Sequence, residues 1–110
     1  MTPRGQAAAL LVLTTAPDPK TARAIARRLV SGRLAACVSV KDGFISYYRW
    51  KGKIEKAGES LLFIKTSKGR YAGLEKALKF SHPYQVPEII SFPVWRGSSE
   101  YLSWLHHALK

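Results

Sequence analysis

The residues with the clearest chemical potential lie in one short stretch, residues 82–88, which reads His-Pro-Tyr-Gln-Val-Pro-Glu. Its two prolines stiffen the backbone, so the imidazole of His82 can be held in a fixed direction beside Tyr84 and within reach of Glu88. A histidine held in this way serves either as a structural hydrogen-bonding group or as a contact for a metal ion or ligand. The sequence leaves both roles open.

Cys37 is the only cysteine of the chain and lies in an apolar run, Leu-Ala-Ala-Cys-Val at residues 34–38, without an adjacent basic residue. A reactive thiolate needs such a partner, so we predict a thiol packed in the core, with a metal contact as the alternative. One cysteine excludes an internal disulfide and every zinc pattern built on cysteine pairs. It also suits a reducing compartment, and we expect a cytoplasmic protein.

Other patterns that carry catalytic chemistry are missing. His106 and His107 are neighbours on a predicted helix, so their side chains diverge by about 100° and we expect them at the surface. Asp18 and Asp42 are explained by a helix cap and a turn. The sequence has no phosphate-binding glycine loop, no Gly-x-Ser-x-Gly elbow and no His-Glu-x-x-His pair. We therefore expect a protein that binds rather than an enzyme.

The elements that position these residues begin with an almost continuous apolar run at residues 7–15, which predicts a central strand covered on both faces. A helix follows, capped by Asp18 with Pro19 in its first turn, and Gly32 ends it. The apolar face of this helix repeats at helical spacing and consists of Ala22, Ile25, Ala26, Leu29 and Val30.

The dipeptide Asp42-Gly43 separates two β-rich runs, residues 34–40 and 44–50. Asp-Gly between such runs is typical of a tight hairpin. A glycine also permits one long strand interrupted by a bulge. Local rules do not decide between the two.

The second of these runs carries aromatic side chains on both faces. Because strand side chains alternate, Tyr48 and Trp50 point to one face while Tyr47 points to the other. A domain of 110 residues cannot easily cover both faces of a long arm. We therefore expect a neighbouring subunit to cover one of them.

The second half of the chain repeats the alternation of strand and helix. After a turn at residues 51–53 and a polar connection at residues 56–59, an apolar run at residues 60–66 predicts another strand. Ser67 then caps a helix, which must end before Pro83 because the residue preceding a proline is driven out of helical geometry.

The last predicted strand spans residues 86–95, and its ends leave the ladder at Pro87 and Pro93, which lack a backbone donor. A final helix begins after Ser98. Its predicted apolar stripe consists of Tyr101, Trp104, Leu105, Ala108 and Leu109.

This order of elements predicts an α+β fold of the ferredoxin-like βαββαβ type with an added C-terminal helix. The whole chain, residues 1–110, is predicted to form one domain, with residues 1–6 as a flexible N-terminal segment. No stretch approaches the roughly 18 uninterrupted apolar residues that a membrane span requires, so we expect no membrane partner.

Charge is the strongest compositional feature, because 18 Lys and Arg residues stand against 7 Asp and Glu, for a formal net charge of +11. Such a balance favours polyanions, including nucleic acid. The basic residues are spread along the chain without a dense block, so we expect nucleic-acid binding to be nonspecific. A small anionic ligand or a nucleotide remains an alternative partner.

Six motifs occur in an order and spacing that resemble the CutA family of divalent-cation tolerance proteins, and the resemblance runs from about Leu11 to Leu109. They are Thr-Ala-Pro at 15–17, Arg-Leu-Ala-Ala-Cys-Val at 33–38, Ser-Tyr-Tyr-Arg-Trp-Lys-Gly-Lys-Ile at 46–54, Lys-Thr at 65–66, His-Pro-Tyr-Gln-Val-Pro-Glu-Ile at 82–89 and Tyr-Leu-Ser-Trp at 101–104.

The resemblance implies a homotrimer similar in architecture to PII-type signalling proteins, and a role in tolerance of divalent metals with binding of Cu²⁺ or another divalent cation. It favours the long bulged strand at Asp42-Gly43 and implies that the aromatic arm is surface between subunits. For this chain it implies His82 and Cys37 as metal contacts, and a ligand cleft between subunits formed by Tyr84, Glu88 and Trp50.

The chain departs from the family pattern at three positions. Thr14 stands where members carry a cysteine in the first strand, and Ser81 stands where some members carry a second histidine. Gln85 stands where many have an acidic residue. One imidazole per chain would make a weak copper site, because copper sites usually combine several nitrogen or sulfur ligands.

Overall fold

A computed structural model describes residues 8–110, and the predicted flexible segment at residues 1–6 lies outside them. The sheet has four strands in the order β2-β3-β1-β4, and every neighbouring pair is antiparallel. The elements in chain order are β1 (Ala9–Ala16), α1 (Pro19–Ser31), β2 (Cys37–Trp50), β3 (Lys53–Ser67), α2 (Lys68–Ser81), β4 (Ile90–Pro93) and α3 (Ser99–Ala108). The predicted ferredoxin-like fold with an added C-terminal helix is confirmed.

The main core lies between the central strands and the first two helices. Cross-strand neighbours Val12 and Ile64 are completely buried, and the helices add Leu29, Leu74 and Leu78, each 0–1% exposed. Burying one such side chain stabilises the fold by about 1.5–3 kcal/mol. Helix α3 forms a smaller, separate cluster with Ala36 through Leu105 and Leu109.

The ends of α1 follow the sequence prediction with one difference. The carboxylate of Asp18 accepts the Thr21 backbone N–H at 2.7 Å, and this bond lowers the pKa of Asp18. At the other end the N–H of Gly32 bonds to the carbonyl of Arg28. Gly32 is the C-cap of the helix, as predicted, while the left-handed conformation falls on the next residue, Arg33, with φ of 57°.

The region of Asp42 and Gly43 is one long strand with a bulge, so the hairpin alternative is wrong. Register shifts between Lys41 and Phe44, where Gly43 takes a φ of +78°. The reversal comes instead at Lys51 and Gly52, both with positive φ, which is the backbone that a two-residue hairpin turn requires.

The predicted polar connection at residues 56–59 is also wrong, because these residues belong to β3. A two-residue turn forces the chain to pair at once with the strand before it, and Trp50 faces Lys53 directly beyond the turn. The polar residues are tolerated there because the paired ends of β2 and β3 form an arm exposed to solvent. The chain accordingly measures 47 × 26 × 23 Å.

Two predictions in the C-terminal third need correction. The strand expected at residues 86–95 is only Ile90–Pro93, since residues 83–89 run irregularly beside the arm. In α3 the predicted stripe residues Tyr101 and Trp104 are 44% and 48% exposed, and Leu102 is buried in their place. No helix in the described part of the chain is long and apolar enough to cross a membrane.

Candidate functional site

A cleft of about 730 Å³ opens between the irregular segment after α2 and the aromatic arm. It contains all three residues predicted for a ligand cleft, namely Tyr84, Glu88 and Trp50. Residues 83–88 supply one wall and β2 supplies the other, while β1 and β3 contribute Thr15 and Glu59. Whether a ligand binds these residues stays a prediction, but the fold brings them to one concave surface.

His82 fastens the irregular wall of this cleft to the sheet. Its Nδ1 accepts the backbone N–H of Tyr84 at 3.1 Å, so Nε2 carries the proton and donates it to the carbonyl of Thr15 at 2.6 Å. The side chain is 8% exposed, and its ring centroid lies 4.9 Å from that of Tyr84. Two contacts therefore fix the imidazole, as the structural alternative in the sequence analysis requires.

These contacts define what metal binding at His82 would require. Both ring nitrogens are engaged, so a metal ion would have to displace either the Thr15 carbonyl or the Tyr84 N–H. Displacement would leave a backbone group of the loop or strand without its partner. His82 as a metal ligand remains a prediction with that cost attached.

Tyr84 closes the cleft onto β3. Its hydroxyl donates to Oε2 of Glu59 at 2.7 Å. Burial, reinforced by the Glu59 carboxylate, raises the pKa of Tyr84 far above its ordinary value of 10.0. The phenol is therefore a neutral donor throughout the physiological pH range.

Glu59 is a residue of the cleft that the sequence did not point to. It was assigned to a polar connection, whereas β3 carries it into the cleft opposite Phe44 in the strand register. The signal that could have found it is the Lys51-Gly52 dipeptide, because a two-residue hairpin turn there places residues 53–59 in a strand.

Two kinds of side chain give the cleft its character. Among the described residues that line it, the charged ones are Glu59 and Glu88, and the aromatic ones are Tyr47, Tyr48, Trp50 and Tyr84. Carboxylate oxygens and aromatic faces both favour cations. The cleft is thus an acidic, aromatic surface within a chain of net charge +11.

Cys37 lies apart from this cleft, and two expectations about it need correction. The thiol is only half-buried, and Lys65 of the neighbouring strand stands beside it, with Nζ 3.8 Å from Sγ and 2.8 Å from the Ser39 hydroxyl. Sequence adjacency could not reveal this cation, since it comes from the facing position of β3.

The structure does not bring His82 and Cys37 together. Thr15, the partner of His82, pairs with Leu61, whereas Cys37 pairs with Lys65. Four residues along a strand amount to about 13 Å. Among residues 8–110, no three His, Cys, Asp or Glu side chains lie close enough together to hold a metal ion.

The remaining histidines lie on α3. His107 is exposed, as predicted, while His106 is half-buried and its Nε2 has no hydrogen-bond partner. Burial lowers the pKa of His106, so this imidazole is neutral near pH 7. Burial also raises the pKa of Tyr101, with a smaller contribution from Cys37.

Residues 10–108 match the model of the family described as CutA1 divalent ion tolerance protein. The chain belongs to the CutA1 family. The divalent-cation tolerance protein CutA of Thermus thermophilus is 45% identical over 95 residues, which is 86% of this chain and 92% of that protein. Family membership links the chain to tolerance of divalent cations.

Solved structures of CutA proteins share the fold over almost their whole length. CutA of Xylella fastidiosa is 41% identical with a TM-score of 0.90, covering 93% of this chain and 98% of that one. The periplasmic divalent cation tolerance protein CutA of Archaeoglobus fulgidus is 34% identical with a TM-score of 0.90, covering 93% and 99%. A periplasmic relative means that family membership alone does not assign a compartment.

Proposed function

We propose that this CutA1 chain is a subunit of a homotrimeric, non-enzymatic binding protein, and that the cleft described above receives Cu²⁺ or another divalent cation. The observation that carries the proposal is the character of the cleft. Glu59 and Glu88 line it together with four aromatic rings, so it favours positive charge although the chain as a whole is strongly basic.

A trimer would supply what one chain lacks. Two carboxylates are too few for a tight metal site, because divalent cations take four or more protein or water ligands. A neighbouring subunit seated against the arm would add ligands across the cleft. This arrangement places the binding site at the boundary between subunits.

The exposed arm supports assembly independently of any metal. Ile45, Tyr47 and Ile54 are 59%, 68% and 71% exposed, and the strand register places them on one face of the β2–β3 hairpin. A contiguous apolar surface of this kind marks an interaction site in a small protein. An architecture resembling the PII-type proteins would cover it with a second copy.

The choice of metal depends on which ligands take part. Oxygen ligands alone suit hard cations such as Mg²⁺ and Mn²⁺, whereas copper prefers nitrogen and sulfur. A copper site would therefore need His82 or Cys37, as the sequence analysis expects. Binding copper through His82 would break its hydrogen bond with either the Thr15 carbonyl or the Tyr84 N–H.

Calorimetric titration of Cu²⁺ and Mn²⁺ into the wild type and four variants tests the site. We expect Glu59→Gln and Glu88→Gln each to weaken binding about tenfold, or about 1.4 kcal/mol, with no change for the exposed control Glu100→Gln. A copper-specific loss in His82→Asn, whose amide oxygen can still accept the Tyr84 N–H, would assign the imidazole. Equal binding in all variants would overturn the cleft assignment.

Light scattering tests the assembly separately. We expect three times the chain mass of 12.3 kDa at micromolar concentration, with or without metal. A monomer would refute the trimer. The variant Tyr47→Lys, which places a charge on the exposed arm, is expected to weaken association while leaving the fold of the chain intact.

The lining charges favour a cation over the small anion or nucleotide considered from the sequence. Thermal-shift measurements with ATP, citrate and Mn²⁺ compare the two classes, since a ligand selective for the native state raises the unfolding temperature.

We also propose a cytoplasmic location, on the basis of the single free thiol. Cell fractionation of the source organism tests it.

A further inference from the structure

The excess positive charge is concentrated on one face of the molecule. Helices α1 and α2, which pack side by side on the sheet, carry eight Lys and Arg residues and a single acid, Glu75. That acid is neutralised locally, because Lys79 approaches it at 3.0 Å and the Tyr71 hydroxyl donates to its other oxygen. The two helices therefore carry a strong excess of positive charge, although Arg70 is directed to the end of α3, where it donates to the Leu109 carbonyl.

A groove with an apolar floor crosses this face. It has a volume of about 340 Å³ and is lined by Arg28 of α1 and by Gly73, Lys76, Ala77 and Phe80 of α2. Gly73 lets α2 pack closely against Leu34, since a Cβ there would come within 3.1 Å of that side chain. The groove is concave, and cations stand on both sides of it.

Phe80 lines the groove and is the most exposed large apolar residue described, at 88%. No other described side chain of the fold covers it, and the core beneath is already filled by Leu74 and Leu78. An isolated exposed aromatic needs no explanation by itself. An exposed aromatic side chain that borders an apolar groove between two cations is typical of a site that binds an anchor residue.

We propose that this α1–α2 groove, defined by Arg28, Gly73, Lys76, Ala77 and Phe80, docks an acidic protein segment that carries one apolar anchor residue. The charge complementarity selects an anionic partner. The concave apolar floor selects a protruding apolar side chain, which a lipid surface and a nucleic-acid backbone do not offer. The groove is separate from the acidic cleft, so docking does not depend on metal.

Fluorescence anisotropy with two synthetic peptides tests the proposal in the presence of EDTA. Both are labelled runs of glutamate, one with a central leucine and one with a central glycine. We expect the leucine peptide to bind the wild type about tenfold more tightly, since burying a leucine is favourable by at least that factor. Equal binding of the two peptides would overturn the proposal.

Matched variants locate the binding. Phe80→Ala is expected to abolish the preference for leucine while retaining binding of the glycine peptide, and Lys76→Glu to weaken both peptides by roughly threefold to tenfold. Trp95→Ala removes another exposed aromatic, 84% exposed beside Arg96, and should change nothing. Unaltered elution volume and circular dichroism show that each variant is folded.

Two competitors separate the remaining classes of partner. We expect Phe80→Ala to leave the affinity for duplex DNA and for phosphatidylserine vesicles unchanged. If either binds more tightly than the leucine peptide and loses affinity in Phe80→Ala, the groove serves that polyanion and the peptide proposal is wrong. An equal loss of leucine preference in Trp95→Ala would also contradict it.

Discussion

The acidic cleft and the basic α1–α2 groove differ in charge and in what holds them. The cleft is walled by an irregular segment and an exposed hairpin, fastened by a few polar contacts of His82, Tyr84 and Glu59. The groove lies on two helices packed over a filled apolar core. One surface can adjust locally, whereas the other can change only if the core changes.

The net charge of this chain does not describe the charge at either surface. Among the 7 acidic residues, Asp42, Glu55, Glu59 and Glu88 belong to the arm and the cleft, whereas α1 and α2 contain only Glu75. The formal charge of +11 therefore does not describe the lining of the cleft, whose charged residues are Glu59 and Glu88, even though the arm beside it carries several Lys and Arg residues. A prediction of partners has to treat the two separately.

The largest effect is expected from the core beneath the groove. Leu78 is completely buried, so Leu78→Ala removes apolar contacts and leaves a cavity, which we expect to lower the free energy of unfolding by about 3 kcal/mol. Urea unfolding followed by circular dichroism measures it. The control Val30→Ala, at a side chain 44% exposed, should cost less than about 1 kcal/mol. Similar losses in both would refute a tightly filled core on this side.

The matching test on the cleft side is His82→Ala, which removes both contacts of the buried ring. We expect a loss of about 2 kcal/mol, because the Thr15 carbonyl and the Tyr84 N–H lose their partners. Hydrogen exchange should accelerate at residues 84–89 while the amides of α2 stay protected. The exposed His107→Ala is the control, and uniform acceleration across the chain would contradict a local fastening role.

The hairpin of the arm gives a smaller effect that depends on backbone geometry alone. Gly52 has φ of +80° and nothing within 4 Å of an added Cβ, so Gly52→Ala should cost about 1 kcal/mol through conformation only. Gly58 lies in β3 with equal space and without a positive φ, so Gly58→Ala should be neutral or stabilising. The unfolding temperatures of the two variants, each compared with the wild type, measure these two costs. Equal shifts would show that the turn is not strained.

The smallest effect is a pH dependence on the helical face. Hydrogen bonds from Lys79 and then Tyr71 lower the pKa of Glu75 below its ordinary value of 4.5. When the pKa of a carboxyl group is lower in the folded than in the unfolded protein, the ionised group stabilises the fold at any pH above the unfolded-state pKa. This stabilisation is lost as the pH falls through the folded-state pKa. We expect Glu75→Gln to reduce the fall in stability below about pH 4.5 in urea titrations. The control is Glu100→Gln, and identical slopes would contradict the pairing.

Several features were predictable because they depend on neighbours in sequence. The cap at Asp18, the fold class and the segment containing His82 follow from local spacing and from resemblance to the family. Glu59 was missed and Cys37 was misjudged for a common reason. Their surroundings come from a facing strand, whose register no local pattern reveals.

The order of elements, the family and the rigid segment at residues 82–88 could be predicted from the sequence, since periodicity, proline and glycine act over a few residues. The long arm opposite that segment could be seen only in the fold, where the bulge at Gly43 and the turn at Gly52 build it. Antiparallel pairing then brought Glu59 to Tyr84, 25 residues away, and packing of α1 against α2 gathered the dispersed cations around Phe80. Strand register and helix packing fix the contacts between residues that are distant in sequence. The acidic cleft and the α1–α2 groove could therefore not be predicted from local patterns.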